Sequence, residues 1–206
     1  MDDFYTFGPI TSFSNKVHAG DNKGKIFTFV FNSMEDIKLE SSAIVSQNEI
    51  TALAASADYI CAGIANGEVL IMNSSKELQR HHKNRTEAME YPCTGMKLVD
   101  DVLVTISGSG HLRLYDLKQG GIKSAELGAH SKVVTALDAA KTKDGLFIAT
   151  TGEDGVVFVW RFHNNNLEPI KGDRAKDCML TGVQFLSQST LLVSAFEKKK
   201  LYMMEL

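Results

Sequence analysis

The chain has 206 residues, 44% of them hydrophobic, enough to bury a sizeable core. A net charge of −3 argues against the strongly basic balance of a nucleic-acid-binding domain, and three cysteines without a C-x-x-C pair argue against a zinc or disulfide framework. No run of about 18 apolar residues is present, and Met1-Asp2-Asp3-Phe4 lacks the basic and apolar regions of a secretory signal, so a cytoplasmic location is expected, with the nucleus as the other compartment.

In chain order, a threonine opens the same short phrase five times: Thr11-Ser-Phe13, Thr51-Ala-Leu53, Thr94-Gly-Met96, Thr135-Ala-Leu137 and Thr181-Gly-Val183, at intervals of 40, 43, 41 and 46 residues. A second ruler runs beside it, because Phe29, Met72, Tyr115, Trp160 and Met204 are spaced 43, 43, 45 and 44 residues apart. Within the second unit the pattern predicts strands over Ile50 to Ser56, Tyr59 to Ala65 and, after the turn Asn66-Gly67, Val69 to Asn73. The third unit predicts strands over Cys93 to Val99, Val102 to Ser107 and Leu112 to Leu117. The fourth predicts them over Val133 to Ala139, Leu146 to Thr151 and, after Gly152-Glu-Asp-Gly155, Val156 to Phe162.

The fifth unit gives Leu180 to Leu186, Thr190 to Phe196 and Leu201 to Leu206, with Glu197-Lys198-Lys199-Lys200 where the others turn on glycine. Shorter, more polar stretches after each third strand, such as Leu78 to His82, Lys123 to Leu127 and Leu167 to Ile170, read as outer strands blunted by charge. His163-Asn164-Asn165-Asn166 reads as a hairpin turn. Four strands recurring every 40 to 46 residues without a helical pattern predict an all-β propeller of about five four-stranded blades. The blades fall roughly at 8–44, 45–88, 89–128, 129–175 and 176–206 of a single domain, 1–206. Residues 3–7 are the candidate closing strand of the last blade.

The fourth unit carries a named resemblance. Ala129-His130, Thr150, Gly152-Glu-Asp-Gly155 and Val159-Trp160 resemble the Gly-His, strand hydroxyl, turn aspartate and Trp-Asp of a WD40 repeat. The resemblance implies that His130, Thr150, Asp154 and Trp160 form a structural hydrogen-bonded tetrad. The other units erode the pattern: Tyr115-Asp116 with Ser109 in the third, Asn66 and Met72-Asn73 in the second, and Lys198 and Met204-Glu205 in the fifth. From about Glu49 onward the chain resembles the C-terminal part of a longer member of that family. Because such blades mostly close at a number above five, the resemblance implies an open or strained five-blade assembly, or a fragment, with self-association through open blade edges.

No catalytic, cofactor or metal site emerges. Asp138 is the lone carboxylate on the predicted innermost strands Ile50 to Ser56, Cys93 to Val99, Val133 to Ala139 and Leu180 to Leu186, and no paired acid and base, H-E-x-x-H or P-loop is present. Cys61, Cys93 and Cys178 read as packing thiols. The expected function is that of a non-catalytic scaffold binding protein or peptide partners through its loop face. Lys132 and Glu153 are the candidate contacts in the fourth unit, with Tyr91, Asn48, Cys178 and Glu197 at comparable places elsewhere. The alternative is phosphoinositide or nucleic-acid binding through basic loops at Arg80 to Arg85 and Lys198 to Lys200, the weaker reading because three lysines in a turn commonly serve to blunt a sheet edge.

Overall fold

The computed structural model of the chain describes residues 6–33, 35–74 and 91–206. Among them there is no helix, and the chain forms only antiparallel strands and turns. The first sheet is β1 (Phe7–Phe13), β2 (Lys16–Asp21), β3 (Lys25–Ser33) and β4 (Asp36–Ile44), paired in that order. The second is β5 (Ile50–Ala55), β6 (Tyr59–Ile64) and β7 (Val69–Asn73). The third is β8 (Cys93–Val99), β9 (Val102–Ser107), β10 (His111–Asp116) and β11 (Ile122–Gly128). The fourth is β12 (Val134–Thr142), β13 (Gly145–Gly152), β14 (Val156–His163) and β15 (Asn166–Arg174). The fifth is β16 (Leu180–Ser187), β17 (Thr190–Ala195) and β18 (Leu201–Glu205).

Each sheet is a chain of hairpins, and the turns are chemically specified. Between β14 and β15, Asn164 and Asn165 both have φ near +50 to +59, the pair of left-handed residues that a two-residue hairpin requires and that asparagine tolerates. Between the second and third strands, Gly24, Gly67, Gly110 and Gly155 have φ of +76, +88, +84 and +76, and each N–H donates to the carbonyl three residues back, on Asp21, Ile64, Ser107 and Gly152. Lys198 N–H makes the same bond to Ala195 O in the fifth sheet, in a turn one residue longer.

By contacts the chain divides into two compact units, Met1–Asp100 and Asp101–Leu206. In the first, Ile26, Val45, Ile50, Leu53, Ile60, Ala62, Ile64 and Met72 make a buried apolar layer between the first and second sheets. In the second, Ala149, Val157 and Val159 of the fourth sheet meet Leu180, Leu191, Val193, Ala195 and Met204 of the fifth. Each valine, leucine, isoleucine or methionine among them contributes about 1.5 to 3 kcal/mol when fully buried. The strand alternation is therefore apolar on both faces of a central strand, as in β6, where Ile60 through Ile64 are all buried.

Register separates the two rulers. Phe29, Met72, Tyr115, Trp160 and Met204 lie opposite Val17, Ile60, Leu103, Ile148 and Leu191, one equivalent rung in five sheets. The threonines agree only in part. Phe7, Ile50, Val134 and Leu180 precede a bulge opposite Asp21, Ile64, Gly152 and Ala195, so the next residues, Gly8, Thr51, Thr135 and Thr181, are equivalent. Thr11 stands three residues beyond that position, and glycine holds it in the first sheet.

The candidate closing strand is likewise corrected at its end. Phe7 pairs with Asp21 within the first sheet, and Thr6 O accepts Asn22 N–H, so both are engaged there; residues 3–5 lie outside the described residues, as do 78–82 of the expected outer strands.

The repeated threonine has a physical use. Thr135 Oγ1 lies 2.7 Å from Leu180 O and 3.1 Å from Thr151 O, joining the first strand of one sheet both to its own neighbour and to the first strand of the next sheet. A Cβ at Gly8 would stand 3.4 Å from Ile50 O, the equivalent carbonyl, in ordinary contact. Thr135→Val should therefore lower stability by about 0.5 to 2 kcal/mol by stranding a buried carbonyl, whereas Gly8→Thr should raise it by roughly 0.4 to 1 kcal/mol. Denaturant melts of the two variants against wild type check both signs.

Candidate functional site

The fourth sheet holds a buried polar relay at its loop end. Trp160 Nε1–H donates to Thr150 Oγ1 over 3.0 Å, and Thr150 Oγ1 lies 2.9 Å from His130 Nε2. His130 Nδ1 lies 3.0 Å from Asp154 Oδ1. The Asp154 carboxylate can only accept, so Nδ1–H donates to it; with the imidazole neutral, Nε2 is then an acceptor, and the Thr150 hydroxyl, whose oxygen takes the indole N–H, gives its own hydrogen to Nε2. Asp154 accepts further bonds from the N–H groups of Ser131 and Val156, at 3.0 and 3.1 Å. Burial alone would raise the Asp154 carboxyl, but the His130 and backbone hydrogen bonds outweigh it and hold the group below the usual carboxylate range. Gly152 is required beside the relay, because a Cβ there would come within 2.7 Å of His130 Nδ1.

The relay fixes the loops above it. Gly155 O accepts Ala175 N–H, and a Cβ at Gly155 would strike Cys178 O at 2.7 Å, so the segment leaving β15 crosses directly over the β13–β14 turn. Gly110 O accepts Ala129 and His130 N–H in the same manner, which sets the histidine in place.

Between these crossings lies a recess of about 710 Å³ lined by Ser131, Lys132, Glu153, Asp154 and residues 174–179. Three candidate contacts, Lys132, Glu153 and Cys178, come together there. Arg174, Lys176 and Met179 join them without having been singled out by the sequence, since crossing segments carry no period; their one sequence signal is position after an outer strand. Glu197 sits in the fifth turn with φ +54 and is not among the lining residues. Asn48 and Tyr91 belong to the first unit, both exposed, Asn48 with its N–H on Ser46 Oγ at 3.0 Å. Arg80 to Arg85 lie outside the described residues.

Three chemistry-bearing side chains turn out to be structural. Asp138 Oδ2 accepts Phe185 N–H at 2.9 Å, linking the fourth and fifth sheets across a β16 bulge. Burial pushes the Cys61 thiol up to about 12, and Cys93 sulfur packs where a Cβ on Gly63 would fall, so both thiols are inert packing groups. Among the described residues no group of three His, Cys, Asp or Glu could hold a metal ion.

No protein-family model matches the chain. WD repeat-containing protein 54 of Homo sapiens is 28% identical over 104 residues, which are 48% of this chain and 30% of that protein. A chain of the mitotic checkpoint complex superposes with a TM-score of 0.82 at 13% identity, over 98% of this chain and 62% of that one. Saccharomyces cerevisiae Sqt1 superposes with a TM-score of 0.79 at 11% identity, over 98% and 60%. The chain has the WD40-repeat fold. It spans under a third of the length of the curated relative it matches, and about six tenths of these structural neighbours. Within the WD40 pattern the fourth repeat alone, among the described residues, joins histidine, threonine, aspartate and tryptophan in one relay.

Asp154→Ala should destabilise the second unit by roughly 1 to 3 kcal/mol, because imidazole and two backbone N–H groups lose a shared acceptor. Since the folded Asp154 titrates below its unfolded value, its contribution is present above about pH 4 and is lost as pH falls through the folded value. Acid melts should therefore show wild type and Asp154→Asn converging toward low pH. Parallel curves would show that the carboxylate charge plays no part.

Proposed function

We propose that the chain, read as one WD40-like domain over 1–206, is a non-catalytic scaffold that binds a protein or peptide partner at the recess of its second unit. The observation that carries this reading is convergence: three separate loops, containing Lys132, Glu153 and Cys178, line one concavity whose floor the Asp154 relay holds rigid. A preorganised rim lowers the entropic cost of binding. Lys132, Lys176 and Arg174 share the lining with Glu153 and Asp177, a mixed field suited to a peptide with charges of both signs. The relatives with this fold support protein interaction in general, and a cytoplasmic partner follows from the expected location.

The phosphoinositide or nucleic-acid reading has Lys198 to Lys200, exposed between β17 and β18, as its described part. Binding of that class should fall steeply with salt.

A peptide library panned against wild type and against a Lys132→Glu, Lys176→Glu variant tests the proposal. Both side chains are exposed, so melting should be unchanged while affinity for the selected peptides drops at least about tenfold, the size of a charge reversal at a contact. Equal capture by the variant, or loss only on Tyr91→Ala, would move the site out of the recess.

A further inference from the structure

Among the described residues, the outer edge of the fifth sheet differs in its chemistry from the fourth strands that edge the first, third and fourth sheets. The edge strand β4 carries Lys38 and Glu40, β11 carries Lys123 and Glu126, and β15 carries Glu168, Pro169 and Lys171, the charges and proline that deter strand addition. β18 reads Leu201-Tyr202-Met203-Met204 before its first charge at Glu205, and Leu201 and Met203 are 63% and 69% exposed. Its backbone direction is fixed. Leu206 N–H donates to Ser189 O on the β17 side, so Leu201, Met203 and Glu205 turn their N–H and C=O groups outward, where Lys171 Nζ already reaches Glu205 O.

We propose that β18 pairs antiparallel with β18 of a second copy, about a two-fold axis at Met203. Charge selects this partner and this direction. Lys198, Lys199 and Lys200 stand at the start of the strand and Glu205 at its end, so antiparallel pairing sets the lysines of one copy beside the glutamate of the other, whereas parallel pairing stacks lysine on lysine. Met203 then meets its own counterpart, Leu201 lies opposite Glu205, and on the other face Tyr202 meets Met204, a sulfur–aromatic contact. The product is a continuous six-stranded sheet in which the apolar edge is closed by an isologous contact. No β18 residue lines the recess, and neither proposal depends on the other.

Cysteine cross-linking reads the register. In a Cys178→Ser background, Met203→Cys should form a disulfide-linked dimer on mild oxidation, because hydrogen-bonded antiparallel partners have Cα atoms about 5.5 Å apart. Leu201→Cys alone should not, and Leu201→Cys with Glu205→Cys should. Light scattering on the unmodified chain should give about twice 22.6 kDa at micromolar concentration, returning to the monomer value on Leu201→Lys with Met203→Lys. A wild-type chain that stays monomeric, as it would if the strand added to β18 came from its own chain or from another protein, overturns the proposal. So does a dimer that survives the double lysine change or forms no Met203 cross-link.

Discussion

A small antiparallel sheet whose central strands are apolar on both faces cannot stand alone in water. It has to be covered on each side, and another copy of the same sheet is a ready cover. The layer of Ile26, Ile50, Ile60 and Met72 in the first unit and that of Val157, Val159, Leu180 and Leu191 in the second meet this constraint in the same way. Everything else in the described structure follows from stacking. Turn glycines let the chain pass from one sheet to the next, Thr135 laces the first strands of the fourth and fifth sheets together, and the polar relay sits where the crossing loops need an anchor.

The constraint also explains why polar detail can erode without loss of fold. The fourth sheet has the full relay, whereas the second holds its turn with Asn66, whose Oδ1 accepts Glu68 N–H at 3.1 Å. The third uses Ser107 and Ser109 hydroxyls with His111. In the first, Asp21 accepts the N–H groups of Lys23 and Lys25. Each solution satisfies the same turn donors with a different side chain, because the apolar layers already fix where the turns lie.

Strand positions were highly legible in the sequence for one reason: short β-branched and apolar runs bounded by turn residues are strands buried on both faces, too short for helices. Val69 to Asn73, Cys93 to Val99 and Val102 to Ser107 match the structure residue for residue. The threonine ruler misled at Thr11 because the bulge position in the first sheet is Gly8, which shares no side chain with its equivalents. The aromatic and methionine ruler held because that rung fills volume, which glycine cannot do. Site residues were legible only where chemistry is directional. Tryptophan, threonine, histidine and aspartate have complementary donor and acceptor inventories that can be matched on paper. Which exposed loop residues share a concavity depends instead on crossing segments such as 174–179, whose path is set by backbone bonds to Gly155 that leave no mark on side-chain periodicity.

Those backbone bonds have a dynamic consequence. Val45 and Ser46 donate to Gly24 O, Ala129 and His130 to Gly110 O, and Ala175 to Gly155 O. The hydrogen bonds that protect a crossing segment from exchange therefore belong to the preceding sheet's turn, and these crossing amides are released when that turn opens. The cooperative unit of local opening is then the junction between sheets. A ligand that clamps a single crossing loop would slow amide exchange on both sides of it, so the footprint of a bound partner in an exchange experiment would be about one repeat wider than its area of contact.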